Sequence, residues 1–251
     1  MSITETVSTV TPTPTNTPTE TEASASSVTS IDLATSTVRD FNQALHSVTE
    51  PGEWHVTNPS GLHNIAVGIN TEQTVTVDGH VGYYFAGMNQ LANITVNGNA
   101  GVGLAENMMS GTVHVTGDSS QATGATAHGG LIVVDGNTGA RCGISMKGVN
   151  IVVGGDIGHM SAFMAQAGTL VVCGDAGESL GDSIYEARIY VKGTVESLGA
   201  DCIQKDMRQE HLDELAGLLT AAGRDDDPAA FTRYGSARTL YHFNVDNSSA
   251  Y

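Results

Sequence analysis

The segment Thr74-Val75-Thr76-Val77-Asp78-Gly79 alternates polar and apolar side chains and ends on glycine, the pattern of a half-buried β-strand entering a turn. Six related strings follow: NITVNG from Asn93, TVHVTG from Thr112, LIVVDG from Leu131, NIVVGG from Asn150, TLVVCG from Thr169 and RIYVKG from Arg188, at an unbroken step of 19 residues. The second residue of each string is aliphatic (Val75, Ile94, Val113, Ile132, Ile151, Leu170, Ile189) and the fourth is valine (Val77, Val96, Val115, Val134, Val153, Val172, Val191). Side chains two apart on a strand share a face, so these positions form two inward ladders. Nineteen residues are too few for a four-stranded propeller blade, and no unit carries an amphipathic helical stripe. The pattern predicts an all-β fold: a single-stranded parallel β-helix of about seven 19-residue coils with flanking α-helices.

Composition narrows what such a solenoid does. A net charge of −17 with ten Lys and Arg excludes a basic nucleic-acid groove. The first basic residue is Arg39, which leaves no positive n-region for a secretory signal, and no apolar run reaches the length of a membrane span. The expectation is a cytoplasmic protein that meets neither nucleic acid nor membrane. Cys142, Cys173 and Cys202 lack C-x-x-C spacing and indicate neither a disulfide framework nor an ordinary metal site.

Residues 1–30 are Thr, Ser, Pro and Glu almost throughout and read as a disordered tail. A strand and helix cap is expected over 31–53, with Val38, Phe41 and Leu45 on one helical face, followed by the β-helix over 54–204, where Trp54 caps the open end of the core. Over 205–251 the chain reads as a helix and a docking tail, with Asp206 as N-cap, Leu212, Leu215 and Leu219 on one stripe, and Gly223 as the stop. The outward third position runs Thr76, Thr95, His114, Val133, Val152, Val171, Tyr190 and turns apolar partway up the stack. Such a stripe needs a cover, either this helix or a partner subunit, and the chain's own helix is the favoured reading.

In a stacked solenoid, residues at like phases of the repeat meet, so phase tests which candidate side chains can share a site. Ser179 in GESLG fits a nucleophile-elbow string, yet its slot is elsewhere filled by Tyr84, Gly103, Ala122, Arg141 and Met160. The cysteines fall at the twelfth, fifth and fifteenth positions, and His80, His114, His128 and His159 at four further ones, which argues against a shared ligand sphere. The seventh position reads His80, Asn99, Asp118, Asn137, Asp156, Asp175, Thr194. Asp156 and Asp175 could hold a cation between coils, but a turn residue bonding local backbone amides is the preferred account. The thirteenth position is always small (Ala86, Ala105, Gly124, Gly143, Ala162, Gly181, Ala200) and reads as a tight internal corner, with a partner's helix as the alternative. The repeat glycines are expected to supply φ > 0 and close backbone approach. No catalytic, cofactor-binding or metal residue is assigned.

The glycines extend into G-x-x-G-x-x-x-G, as at Gly136, Gly139, Gly143 and Gly174, Gly177, Gly181, with variants at Gly98, Gly101, Ala105 and Gly155, Gly158, Ala162. This resembles the glycine-repeat (GXGXG) β-helix that ends the large chain of glutamate synthase, over roughly Ile31 to the C-terminus. The ending FTRYGSARTLYHFNVDNSSAY looks most like the free-standing β-helix subunit of glutamate-synthase-like complexes, including N-methylglutamate synthase. The resemblance implies a right-handed coil and a non-catalytic scaffold. It implies two partners, a class II glutamine amidotransferase-like subunit and an FMN-binding glutamate-synthase-like subunit that carries the flavin and an iron–sulfur cluster. This chain has Ser2 where the amidotransferase cysteine would stand, and it lacks a barrel pattern. A β-helix subunit of formylmethanofuran dehydrogenase is the nearer alternative. A carbohydrate-active β-helix enzyme would need paired carboxylates or a basic residue in a groove, whereas only Arg141, Lys147, Arg188 and Lys192 are basic within the coils. A self-assembling solenoid would need uncapped ends.

Overall fold

A computed structural model describes residues 28–239. The chain runs β1 (Thr29–Asp32), α1 (Val38–Ser47), β2 (Gly52–Thr57), β3 (Gln73–Asp78), β4 (Asn93–Asn97), β5 (Thr112–Val115), β6 (Leu131–Val134), β7 (Lys147–Val153), β8 (Ala167–Val172), β9 (Arg188–Val191), β10 (Cys202–Lys205), α2 (Gln209–Ala221), a single 3₁₀ turn (Pro228–Ala230) and β11 (Thr232–Ser236). All eleven strands belong to one sheet, in the order β1 to β9, then β11, then β10. From β3 to β9 the ladder positions keep one register, Val75 pairing with Ile94, Ile94 with Val113, and so on to Leu170 with Ile189, and the one irregularity is a shift between Lys147 and Asn150 at the start of β7. The fold is the expected parallel β-helix. β1 and β2 extend its sheet on the N-terminal side of the span expected over 54–204, with β1 beginning at Thr29. Most of the expected disordered tail (1–27) and the last residues of the docking tail (240–251) lie outside the described residues.

Inside the coils, all fourteen side chains of the two ladders are buried to 1% exposure or less. After each strand the chain turns at the glycine, makes a one-residue parallel bridge through Val81, Ala100, Ser119, Thr138, Ile157, Ala176 and Val195, and returns along a second wall. On that wall alternate residues are left-handed, as at Tyr84 (φ 57°), Ala86 (φ 56°) and Met88 (φ 56°) in one coil and Met160, Ala162 and Met164 in another. Left-handed backbone costs an L-residue about 1 kcal/mol or more. Backbone bonds between coils offset it: Tyr84 N–H donates to Val102 O (2.9 Å), Ala86 N–H to Ile65 O (3.0 Å) and Met88 N–H to Glu106 O (2.8 Å). Behind this wall large and small side chains alternate along the stack, Met108, Ala127, Met146, Ala165, all fully buried. Met108 reaches so far that a Cβ on Gly130 would lie 2.6 Å from its Cε.

Each end is closed by different means. At the N-terminal end Thr37 Oγ1 accepts from Asp40 N–H (3.1 Å) and starts α1, which buries Phe41 and Leu45. Phe41 meets Trp54 edge-on at 6.0 Å, and Trp54 Nε1 donates to Gln73 Oε1 at 2.8 Å, so Trp54 does cap the core. Asn42 clamps the first coil by donating to Asn64 O (2.7 Å) and accepting from Ala66 N–H (2.9 Å). At the other end β11 runs antiparallel to both β9 and β10, which occupies the open edge of the last coil.

The apolar stripe on the outer sheet face is covered by the chain's own helix. Val152, Val171 and Tyr190 are fully buried beneath Leu215 and Leu219 of α2, with Phe231 beside them. Two details differ from expectation. The buried side of α2 is His211, Leu215 and Leu219, with Leu212 only half-buried, because His211 turns inward to cap the helix it belongs to. Its N-cap is Arg208, whose backbone N–H donates to His211 Nδ1 at 3.1 Å. Gly223, at φ 71°, follows the C-cap residue Ala222 as expected. The exit from α2 is pinned by Asp226, which accepts from Lys192 Nζ (2.8 Å) and Arg224 Nε (2.7 Å).

Candidate functional site

The seventh-position row is a hydrogen-bonded ladder between coils. His80 Nδ1 accepts from Asn99 N–H (3.0 Å), Asn99 Oδ1 from Asp118 N–H (2.9 Å), Asp118 Oδ1 from Asn137 N–H (2.7 Å), Asn137 Oδ1 from Asp156 N–H (2.8 Å), Asp156 Oδ1 from Asp175 N–H (2.8 Å) and Asp175 Oδ1 from Thr194 N–H (2.6 Å). The expected bonds to local amides are therefore replaced by bonds to the amide 19 residues on, which the unbroken 19-residue step sets beside the side chain in the next coil. The bond from Thr194 N–H, together with one from its side chain, holds the Asp175 carboxyl below its ordinary pKa. Asp156 and Asp175 are thus occupied in stacking the coils.

This ladder also accounts for the sixth-position glycines from Gly117 onward, whereas Gly79 has the expected positive φ (125°) and Gly98 abuts the Gly79 carbonyl. None of Gly117, Gly136, Gly155, Gly174 and Gly193 has positive φ. A Cβ at these five positions would lie 2.1–2.3 Å from the carbonyl or carboxylate oxygen of the ladder side chain in the coil before. The expectation of close approach holds there, and that of φ > 0 does not. Left-handed backbone falls instead on the second wall. There the thirteenth-position row is the tight internal corner from Ala86 to Gly181, while Ala200 is exposed: Ala86, Ala105 and Ala162 are fully buried, and a Cβ on Gly181 would come within 2.7 Å of Cys202 Sγ.

The remaining candidates stay apart. Ser179, at φ 59°, donates its N–H to Ser197 Oγ (2.9 Å), and the chain goes on into a bridge from Leu180 to Leu198, without the helix an elbow requires. Burial pushes Cys142 and Cys202 up to about 12 and Cys173 up to about 11, so all three are poor thiolate nucleophiles. His114 pairs with Asp135 at 3.0 Å on the outer face. Among the described residues no three His, Cys, Asp or Glu side chains converge as a metal site, and no helix is long and apolar enough to cross a membrane.

The second wall of the first coils carries a feature that the repeat arithmetic missed. Tyr83 (50% exposed), Tyr84 (46%), Met88 (50%) and Met109 (47%) project there, with Leu62 (40%) beside them. Tyr83 stacks on His63 at 4.5 Å between ring centroids, and Tyr84 lies over Gly103, where a Cβ would be 2.8 Å from its ring. Each ring thus lies against a neighbouring coil. The signal was available, since Tyr84 is the only aromatic in the eleventh-position row. Aromatic and methionine side chains held open to solvent on a rigid wall are what protein interfaces are enriched in.

Taken together, the molecule is a capped parallel β-helix whose seventh-position row stacks the coils and whose first coils leave Tyr83, Tyr84, Met88 and Met109 exposed. The chain is 59% identical over 225 residues to protein GlxC of Rhizobium meliloti (strain 1021), a match covering 88% of this chain and 99% of that protein. The chain belongs to the GlxC family. No family model matches it, and no solved structure does.

Proposed function

We propose that the chain is a non-catalytic subunit of a glutamate-synthase-like complex, N-methylglutamate synthase or a related glutamine-dependent amino-transfer oxidoreductase. Its role is to hold an amidotransferase-like subunit and an FMN-binding synthase-like subunit in a fixed relation. The flavin and the iron–sulfur cluster belong to the latter. Three buried or half-buried cysteines left as free thiols suit the reducing, cytoplasmic setting this reading carries. The observation that carries the proposal is the bare wall of Tyr83, Tyr84, Met88 and Met109 on a solenoid whose own ends and apolar stripe are already covered. Exposed aromatic and apolar side chains gathered on one surface mark interaction sites.

The experiment is co-expression with the two catalytic subunits and with a variant stripped of the wall, Tyr84→Asn with Met88→Asp. Both positions are left-handed, where Asn and Asp are tolerated best, so the variant should fold with undiminished stability. It should fail to enter the complex, while the isolated wild-type subunit should carry no flavin and no glutaminase activity. Stoichiometric flavin on the isolated subunit, or normal assembly of the variant, would sink the proposal.

A further inference from the structure

At the C-terminal end, a groove of about 470 Å³ opens on the outer face of β9, β11 and β10 beside the first turn of α2. Its lining includes Arg188, Lys205, Arg208, Arg233 and Arg238, half of the ten Lys and Arg in a chain of net charge −17. Glu186 and Glu210 are the acidic residues in that lining, so five positive charges less two negative leave +3. Strand pairing sharpens the anomaly. Lys205 lies directly opposite Arg233 in the β10–β11 register, and like charges facing across a ladder destabilise it.

The nearby carboxylates do not resolve that conflict. Glu214 is engaged by Arg188 Nη2 (2.9 Å), the Tyr190 hydroxyl (2.8 Å) and Thr169 Oγ1 (3.3 Å). Glu210 and Glu186 pair with Arg208 (2.8 Å) and Arg238 (2.7 Å) in solvent-exposed contacts, which water screens. Arg233 Nε donates to the Asp206 carbonyl at 3.0 Å, and among the described residues neither Arg233 nor Lys205 has a carboxylate within ion-pair distance. The floor is also left open. Gly235 has no positive φ, and a Cβ there would meet nothing nearer than 3.8 Å, so this glycine is required neither for backbone strain nor for close approach. It keeps the groove empty of side chain.

We propose that this groove is an oxyanion site, which takes a carboxylate or phosphate group against Arg233, Lys205 and Arg208. Guanidinium groups match such oxygens with paired donors, and the N-terminal end of α2 adds a partial positive charge. The strain of the surroundings agrees in direction. Burial, then Arg233 and Arg208, lower the pKa of His211 at the groove wall, and burial with Arg208 and Arg188 lowers that of Arg233. A bound anion relieves each of these repulsions. The site does not depend on the subunit reading above.

The test is calorimetric titration of the full chain at low ionic strength with three probes: inorganic phosphate, succinate and hexaglutamate. Saturable binding of phosphate or succinate identifies a free anion as the source of the oxygens, and binding of hexaglutamate alone identifies a carboxylate on a polypeptide. In either case Arg233→Gln and Lys205→Gln should each weaken binding about tenfold or more, the size of one charge-assisted contact, and Lys147→Gln should not. Gly235→Leu, which fills the floor without changing charge, should abolish binding. Folding is monitored through Lys205→Gln, which should unfold at a higher temperature than wild type in anion-free buffer because it removes the repulsion. No saturable binding of any probe, or binding that survives both charge substitutions, overturns the proposal.

Discussion

Gly155→Ala should destabilise the protein by about 2–4 kcal/mol, although it adds one methyl group at a position with ordinary backbone angles. The new Cβ would lie 2.3 Å from Asn137 Oδ1 and 3.0 Å from Gly136 O. Asn137 cannot yield freely, since its own N–H is held by Asp118 Oδ1 at 2.7 Å and its Oδ1 accepts from Asp156 N–H at 2.8 Å. Swinging it aside forfeits the second bond, about 1 kcal/mol, and the residual crowding against the Gly136 carbonyl adds about 1–3 kcal/mol. Equilibrium unfolding in urea gives the number. Gly217→Ala is the internal comparison: it lies within α2 with no atom within 4 Å of the added Cβ, and should stabilise by about 0.5–1 kcal/mol. Asn137→Ala alone should cost about 1 kcal/mol for the lost bond, yet in the Gly155→Ala background it removes the clashing oxygen. The double variant should therefore be more stable than the sum of the singles by about 1 kcal/mol or more. If Gly155→Ala lies within about 0.5 kcal/mol of wild type, or the two substitutions simply add, the ladder is not what requires the glycine.

Other consequences can be checked on the same protein. Val134→Ala, in the fully buried ladder, should cost about 2–4 kcal/mol in urea unfolding, against under about 1 kcal/mol for Thr76→Ala on the outer face; equal losses would reverse the assignment of faces. Val152→Lys with Val171→Lys places two charges beneath Leu215 and Leu219 and should free α2, seen as new protease cleavage within 209–221, whereas an uncut variant of wild-type stability would mean that the helix is not the cover. His211 should make stability fall with acid. Its pKa is lowered from 6.5, by burial first and then by Arg233 and Arg208 against the opposing pull of Glu210, so below about pH 6.5 the unfolded chain binds the proton that the folded chain refuses. Protonation would also put a hydrogen on Nδ1, which now accepts from Arg208 N–H, and uncap α2. The urea midpoint should drop between pH 7.5 and 5.5 by an amount that His211→Gln reduces; an identical drop in that variant would assign the loss elsewhere.

What the sequence made legible was whatever repeats. A period of 19 residues fixes the strands, their register and the two inward ladders, because a parallel stack places residue i beside i + 19 with no further information. The same arithmetic exposed the stripe at Val152, Val171 and Tyr190. It expected positive φ at the sixth-position glycines, where among the seven only Gly79 has it, since a glycine kept for a neighbour's close approach looks the same in sequence as one kept for its own φ. The inter-coil bonds of Asn137 and Asp156 escape sequence reading for a related reason: the local rule for Asx residues knows nothing of the coil above. At the ends, where repetition stops, tertiary contacts decided. Leucine spacing pointed to Leu212, but a buried histidine that caps its own helix turned the face to His211, Leu215 and Leu219. The strand Thr232–Ser236 has no regular alternation and forms because β9 offers an unpaired edge.

The two surfaces left over obey different physics, and that difference separates their roles. Wherever the chain had apolar surface to hide on its strand wall it supplied α2 and Phe231, so the exposure of Tyr83, Tyr84, Met88 and Met109 on the opposite wall is not for want of material. Contact through those side chains rests on apolar burial, which salt strengthens or leaves unchanged. Contact through Arg233, Lys205 and Arg208 rests on charge, which is screened over about 10 Å at 0.1 M salt. Assembly held by the tyrosine and methionine wall should therefore persist in high salt, while anything bound in the groove leaves. If both were lost together as salt is raised, the groove would belong to the same interface as the wall, and its anion would be an acidic side chain of the partner seated there.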